Sequence, residues 1–175
     1  MTPQRIWVVG NSGSGKTTLA RAAAHRLCLP HVELDALQHG PDWLQATPDE
    51  LRDRAAAALE GDAWVVDGNY RIARDDHLHR AELVVWIDYA LPIVASRVTR
   101  RTAVRLLTRK RIYNSNVERW RNLMDIDHPV FWAWRSHHPR RREYTTLMDD
   151  RWLRLRTPRD AARWLRSLSA TADAR

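Results

Sequence analysis

A run of small residues followed by a lysine and a threonine stands near the start of the chain. Residues 10–17 read GNSGSGKT and match the pattern G-x-x-x-x-G-K-[ST] at every defined position. In this pattern glycines let the backbone approach phosphates, the lysine reaches the β and γ phosphates, and the threonine hydroxyl ligates Mg²⁺. The segment therefore predicts a phosphate-binding P-loop. The residues predicted to hold a nucleotide are Gly10, Asn11, Ser12, Gly13, Ser14, Gly15, Lys16, Thr17 and Thr18.

Lysine is rare in this chain, which makes its place in the loop informative. The protein carries 29 lysines and arginines, but Lys16 and Lys110 are the only lysines. Where positive charge is otherwise arginine, a lysine at this position indicates a chemical requirement, and we predict that Lys16 is catalytic. A chance glycine-rich turn is the alternative reading of the segment.

Three aspartates follow short apolar runs that predict strands. In doubly wound folds ligands bind beyond the carboxyl ends of the strands, where Asp35, Asp67 and Asp88 are expected. We predict that Asp67 binds the metal through a water near Thr17, although an Asp-Gly turn is the structural alternative. Asp35 is predicted to accept a proton from an acceptor hydroxyl, with a surface or capping role as its alternative. Asp88 is most simply a cap for the following helix.

Phosphoryl transfer also needs cations opposite the loop. Arg97, Arg101 and Arg105 fall on one face of a predicted helix, and Arg97 and Arg101 are predicted to be catalytic. Arg71 follows the Asp-Gly turn, where its planar fork would clamp an acceptor phosphate or carboxylate. A solvated helix face is the alternative for any one of these arginines.

Composition narrows the class of protein. The chain has 175 residues, 44% of them hydrophobic, and no apolar run near the length of a membrane span, so we expect a globular protein without membrane contact. Cys28 is the only cysteine and the N-terminus leads directly into the first strand, which together predict a cytoplasmic protein. A net charge of +8 and a pI of about 10.6 favour a polyanionic partner, either a nucleotide or a nucleic acid.

Strand and helix patterns alternate along the chain, which predicts an α/β fold with a five-stranded parallel sheet in one domain, 1–175. Residues 109–148 interrupt the alternation and form an Arg/Trp-rich, helical, lid-like insertion, in which a helix is predicted to start at 127–129 and to end or kink at Pro139. The predicted strands are 5–9, 31–34, 63–66, 82–88 and 152–156, and the other predicted helices start at 18, 47, 92 and 157.

The P-loop, residues 65–71 and the arginines at 97–101 together resemble the nucleoside monophosphate kinase group of P-loop proteins. More closely, the chain resembles the bacterial adenylate-kinase-like proteins labelled topology modulation proteins, including residues 33–35 and 42–43. The resemblance implies a three-layer α/β/α P-loop kinase fold with ATP and Mg²⁺ as cofactors. An Asp-Gly-Phe-Pro-Arg segment binds the acceptor nucleotide in adenylate kinases, and residues 67–71 are similar in place. The predicted acceptor residues are Asp35, Trp43, Asn69 and Arg71.

Three functions are consistent with these features. The leading one is a kinase that transfers the γ-phosphate of Mg-ATP to a small molecule or nucleotide. The second is a nucleic-acid-associated ATPase that uses the arginines and tryptophans of 109–148 to contact phosphates and stack bases. The third is a P-loop protein that binds nucleotide for a structural or regulatory purpose.

Overall fold

The fold is built on a parallel sheet whose strands run in the order β2-β3-β1-β4-β7. The computed structural model describes residues 2–41, 44–108, 111–112, 116–117 and 129–169. The sheet consists of β1 (Arg5–Gly10), β2 (His31–Glu33), β3 (Trp64–Asp67), β4 (Leu83–Ile87) and β7 (Trp152–Leu155). All four of its strand pairs are parallel. A separate antiparallel pair joins β5 (Arg111–Ile112) to β6 (Asn116–Val117).

Helices cover both faces of this sheet. They are α1 (Lys16–Leu27), α2 (Leu34–Gln38), α3 (Pro48–Ala58), α4 (Arg71–His77), α5 (Leu91–Thr108), α6 (Pro129–Leu147) and α7 (Pro158–Ser169), with a 3-10 turn at Leu78–Arg80. The prediction of a five-stranded parallel sheet in a three-layer α/β/α fold is confirmed. Among the helices of the described residues, none has the length and apolar composition that crossing a bilayer requires.

The central strand separates two apolar clusters. Ile6 and Val8 of β1 pack with residues of α1, α5 and α7, whereas Trp7 and Val9 pack with residues of α3, α4 and α6. All four side chains are fully buried. A strand that is covered on both faces has a continuous run of apolar residues, and such a run at 5–9 predicted β1 from the sequence.

Several local expectations are corrected by the structure. The short helices α2 and α4 were not expected, because each lies in a stretch with too few turns for a clear 3.6-residue pattern. Helix α6 continues past Pro139 to Leu147, so of the predicted end or kink at this proline the end is wrong. Polar contacts on both sides of the proline, from Ser136 and Tyr144, fix that helix against the rest of the fold.

Asp88 is an ion-pair centre and not a helix cap. Its Oδ2 accepts hydrogen bonds from Arg154 Nε at 2.9 Å and Nη2 at 2.6 Å, and Arg141 Nε lies 3.2 Å away. The Arg154 guanidinium also stacks on the ring of Trp86, 4.3 Å from its centroid. Since the Asp88 side chain is only 4% exposed, these arginines are needed to stabilise its buried charge. Arg154 belongs to β7 and Arg141 to α6, so the ion pairs join the sheet to α6.

We predict that Asp88→Asn lowers the free energy of unfolding by about 3 kcal/mol, because it leaves Arg154 largely buried without its counter-charge. Urea unfolding measures the change. The matched control is Asp149→Asn in the Asp149–Arg151 pair, where both side chains are partly exposed, and we expect a loss of less than about 1 kcal/mol there. Equal losses in the two variants would contradict the assignment of Asp88 as the buried link.

Candidate active site

Glycines shape the loop between β1 and α1. Gly13 and Gly15 have φ angles of 77° and 97°, in the left-handed region that favours glycine. A Cβ on Gly13 would lie 2.8 Å from the Cβ of Val98, so the loop packs closely against α5. Among the described residues no side chain caps the start of α1, and its first turn contains no acidic residue. The N–H groups of that turn are therefore available to an anion, and this cradle fits the phosphates of a nucleotide.

Lys16 lies at the centre of a cluster of charges. Burial lowers the pKa of Lys16 to about 8. The carboxylates of Asp35 and Asp67 act against this lowering, and the guanidinium groups of Arg140 and Arg101 add to it. Lys16, Asp35 and Arg101, which are predicted to act on a phosphoryl group and its acceptor, therefore lie close enough to influence one another electrostatically. Arg140 of α6 is a further charge close to Lys16.

Asp67 is buried between the P-loop and the neighbouring strand. Its side chain is 1% exposed. The Thr17 hydroxyl donates to Asp67 Oδ1 at 2.9 Å, and Nε2 of His31 lies 2.8 Å from Asp67 Oδ2. Asp67 comes at the end of β3 and Thr17 in the first turn of α1, so the two residues predicted to bind a metal are in contact, and the metal role stays a prediction. An ionised carboxylate and a threonine hydroxyl are oxygen ligands of the kind that Mg²⁺ prefers.

The side-chain amide of Asn69 holds the start of the P-loop. Its Nδ2 donates to the Gly10 carbonyl at 2.6 Å, and its Oδ1 accepts from the Gly10 N–H at 3.2 Å. The buried hydroxyl of Tyr144 in α6 donates to the same Oδ1 at 3.0 Å. Asn69 therefore fixes the residue at which the chain leaves β1 and enters the loop.

Asn11 joins the loop to α6 from the other side. Its Oδ1 accepts from the Ser12 N–H at 2.9 Å and from the Ser136 hydroxyl at 2.8 Å, while its carbonyl accepts from Lys16 Nζ at 3.1 Å. Ser136 belongs to the part of the 109–148 insertion that the structure describes. Helix α6 is consequently in direct contact with the phosphate loop.

The predicted catalytic arginines lie on α5 beside the loop. Nη1 of Arg97 donates to the Ser14 carbonyl at 3.1 Å, and its guanidinium lies 5.1 Å from the ring centroid of Tyr89. Arg97, Arg100 and Arg101 line one cleft together with the P-loop. Arg97 thus supports the loop backbone and also faces the space where phosphates would lie.

A cleft of about 990 Å³ brings these groups together. It is lined by the P-loop, by Glu33 and Asp35, and by apolar residues of α5 and α7 such as Val104 and Leu165. A cleft that combines cationic groups with apolar side chains suits a nucleotide.

The predicted site residues do not all face the cleft. The loop from Ser12 to Thr18, Asp35, Arg97 and Arg101 all line the cleft, whereas Gly10 and Asn11 anchor the loop through the contacts above. The Arg71 side chain is 83% exposed and pairs with Asp75 at 3.2 Å. Trp43 lies outside the described residues, as do the side chain of Arg105 and most of 109–128. The roles of all these residues stay predictions.

Among the described residues, three hydrogen-bond partners in this site were missed in the sequence: His31, Ser136 and Tyr144. His31 could have been found, because side chains alternate along a strand and His31 therefore lies on the same face as Glu33. Glu33 stands near the end of the strand that leads to Asp35, which is one of the predicted site residues. Ser136 and Tyr144 carried none, since their partners depend on how α6 docks.

The family described as "ATPase family associated with various cellular activities (AAA)" matches residues 6–109. That range begins in β1 and includes the P-loop, Asp67 and α5. Among curated protein sequences, none matches this chain significantly.

Solved structures of kinases share the fold. Shikimate kinase from Bacteroides thetaiotaomicron is 15% identical with a TM-score of 0.58, covering 98% of this chain and 99% of its own. Shikimate kinase from Acinetobacter baumannii, in complex with shikimate, is 16% identical with a TM-score of 0.58, covering 97% and 92%. A gluconokinase from Sinorhizobium meliloti is 20% identical with a TM-score of 0.51, covering 98% and 96%. The fold of this chain is therefore that of the P-loop kinases.

We predict that Asn69→Asp weakens ADP binding about tenfold, because a carboxylate cannot donate to the Gly10 carbonyl and the loss of such a bond costs about 1 to 3 kcal/mol. Calorimetric titration measures the dissociation constant. Tyr144→Phe is the control, since it removes one bond to Asn69 and leaves both bonds to Gly10, and we expect less than about a threefold change. Unchanged ADP binding in Asn69→Asp would contradict the anchoring role.

We predict that metal-free ADP binds more weakly as the pH rises above 8. Lys16 is protonated below its pKa of about 8, so binding is independent of its titration there. Above that pH, binding an anion must restore the proton, and the dissociation constant rises by up to about tenfold per pH unit. Calorimetry with EDTA measures it, and Lys16→Met should bind weakly without this pH dependence. A flat profile in the unmodified protein would contradict the cationic role of Lys16.

Proposed function

The chain belongs to the ATPase family associated with various cellular activities (AAA), and on that premise we propose that it is an ATP-dependent kinase acting on a small hydroxylated acceptor. One observation carries the proposal. Lys16, Thr17, Asp35 and Arg101 line the same cleft, so the lysine of the P-loop, a hydroxyl suited to Mg²⁺, a carboxylate and an added cation face one space. Nucleotide binding alone has no use for the carboxylate, whereas transfer to a hydroxyl is accelerated by a group that takes the hydroxyl proton.

Each group has a part in this reaction. The loop N–H groups and Lys16 would hold the phosphates of ATP, and Thr17 would ligate Mg²⁺ with Asp67 acting through a water. Mg-ATP supplies the phosphoryl group and a divalent charge when bound. Arg97 and Arg101 would neutralise charge that develops on the transferred group, because planar guanidinium groups match phosphate oxygens.

The acceptor is proposed to bind in the cleft beside Asp35. Asp35 lies in the first turn of α2, directly after β2, and would accept the proton of the attacking hydroxyl. Trp43, Asn69 and Arg71 are the other proposed acceptor residues. Of these, Asn69 already bonds to Gly10 and the Arg71 guanidinium is largely exposed, so Asp35 is the residue on which the acceptor proposal chiefly rests.

The proposal extends to the domain organisation and the cellular location of the protein. We propose one domain over 1–175 with a lid-like insertion at 109–148, acting in the cytoplasm, where a single cysteine stays reduced. The resemblance to adenylate-kinase-like topology modulation proteins remains part of this proposal and supports ATP as the nucleotide.

A nucleic-acid-associated ATPase is the second candidate. It is favoured by the net charge of +8 and by Trp134 of α6, which is 66% exposed beside the exposed Arg135. DNA binding that weakens steeply with salt and that stimulates ATP hydrolysis would support this function over the kinase.

An acceptor screen tests the proposal. ADP release from Mg-ATP is followed over nucleoside monophosphates, nucleosides and hydroxylated acids, including shikimate and gluconate, with Lys16→Ala as the blank. Acceptor-dependent ADP release that the blank lacks supports a kinase. If no acceptor increases ADP release in a protein that binds ATP, the proposal is contradicted. DNA is then added to the same assay.

With an acceptor in hand, we predict that Asp35→Asn lowers kcat by about 100-fold or more, because the amide cannot take the hydroxyl proton. The ADP dissociation constant should stay within about threefold of the unmodified protein, since removing a general base leaves the phosphate cradle in place. Steady-state kinetics and calorimetry measure the two effects. A kcat close to that of the unmodified protein would exclude Asp35 as the base.

A further inference from the structure

Asp67 has a second partner that the phosphate site does not by itself require. His31 opens β2, and the Cα register pairs it with Val65, two residues before Asp67 on β3. Its ring reaches along the strand to place Nε2 at 2.8 Å from Asp67 Oδ2. Both side chains are shielded from solvent, at 15% and 1% exposure. The contact is therefore a largely buried bond between neighbouring strands.

The chemistry of the two groups fixes the direction of this bond. A carboxylate accepts hydrogen bonds, so this contact requires the form of the His31 ring that has its proton on Nε2. The other carboxylate oxygen, Oδ1, accepts from the Thr17 hydroxyl at 2.9 Å. A hydroxyl that donates its only proton to Asp67 keeps its oxygen lone pairs for another partner, and Thr17 lines the cleft.

We propose that His31 is a positioning residue for the divalent metal: it orients Asp67, which in turn orients the Thr17 oxygen toward the cleft. The inference rests on the proposed function to the extent that this function places Mg²⁺ at Thr17. Partners that orient metal ligands in this way commonly change metal affinity by 10- to 100-fold when they are removed. His31 touches neither nucleotide nor acceptor in this account.

A purely structural bond would behave differently. It would compensate the buried charge of Asp67, so its loss would lower the unfolding temperature and leave metal binding by the folded protein unchanged. A positioning bond must alter metal affinity in protein that is still folded. Metal affinity and thermal stability are therefore measured on the same variants.

Two amide substitutions provide the matched comparison. His31→Gln retains a donor at about the position of Nε2, whereas His31→Asn is one methylene shorter and cannot reach Asp67 Oδ2. His25→Asn, on the exposed face of α1, controls for the loss of a histidine elsewhere. The probe is Mn²⁺ with a non-hydrolysable ATP analogue, and electron paramagnetic resonance gives the dissociation constant of Mn²⁺ from the ternary complex.

We expect Mn²⁺ to bind His31→Asn about tenfold more weakly or worse, while His31→Gln and His25→Asn stay within about threefold of the unmodified protein. Equal Mn²⁺ affinity in His31→Asn and His31→Gln would overturn the inference and leave the proposed function standing. If the unmodified protein and the analogue together bind Mn²⁺ no better than the analogue alone, the metal site of the proposed function is wrong, and the inference falls with it.

A second measurement does not depend on any variant folding. Long-range ¹H–¹⁵N spectra of the histidine rings in the unmodified, metal-free protein show which nitrogen of His31 carries the proton. A proton on Nε2 supports the inference. A ring protonated at Nδ1 alone would overturn it, because such a ring cannot donate to Asp67.

Discussion

The buried carboxylate of Asp67 is the constraint on which the rest of the site depends. A charge with 1% exposure must be compensated by donors, and the two bonded to it in the described part of the chain are the Thr17 hydroxyl and His31. One donor belongs to the start of α1 and the other to β2, while Asp67 ends β3. Satisfying a single buried charge therefore fixes the P-loop helix relative to two neighbouring strands, and it does so at the hydroxyl that is proposed to bind the metal.

The loop itself is held from outside by uncharged groups. Asn69 bonds to both backbone groups of Gly10, and Ser136 bonds to Asn11, so neighbouring residues of the loop are fixed by different elements. Many of the arginines are also used within the fold. Arg80 donates to the carbonyls of Leu59, Glu60 and Gly61 at the end of α3, and Arg151 donates to those of Leu78, His79 and Ala81. These two arginines thus bond to carbonyls at the end of α3 and in the 3-10 turn, so each has a structural role within the fold.

The sequence was most informative where local pattern and structure coincide. The P-loop, the buried strands and the helix start at Thr47 each lie within a few residues of chain, so spacing alone identified them. The His31 bond was missed because it needs β2 beside β3, and that strand order is set by the packing of the whole sheet. The bonds of Asn69 to Gly10 and Tyr144 were missed because their partners belong to β1 and α6, far away in sequence. The continuation of α6 past Pro139 likewise depends on tertiary contacts that override a local rule.

The most direct test of this account is a crystal structure of the protein with Mg²⁺ and a non-hydrolysable ATP analogue. The account predicts phosphates against the N–H groups of 13–17, the metal on the Thr17 hydroxyl oxygen, and Asp67 still bonded to both Thr17 and His31. A metal bound elsewhere, or bound directly to an Asp67 that has left His31, would contradict it.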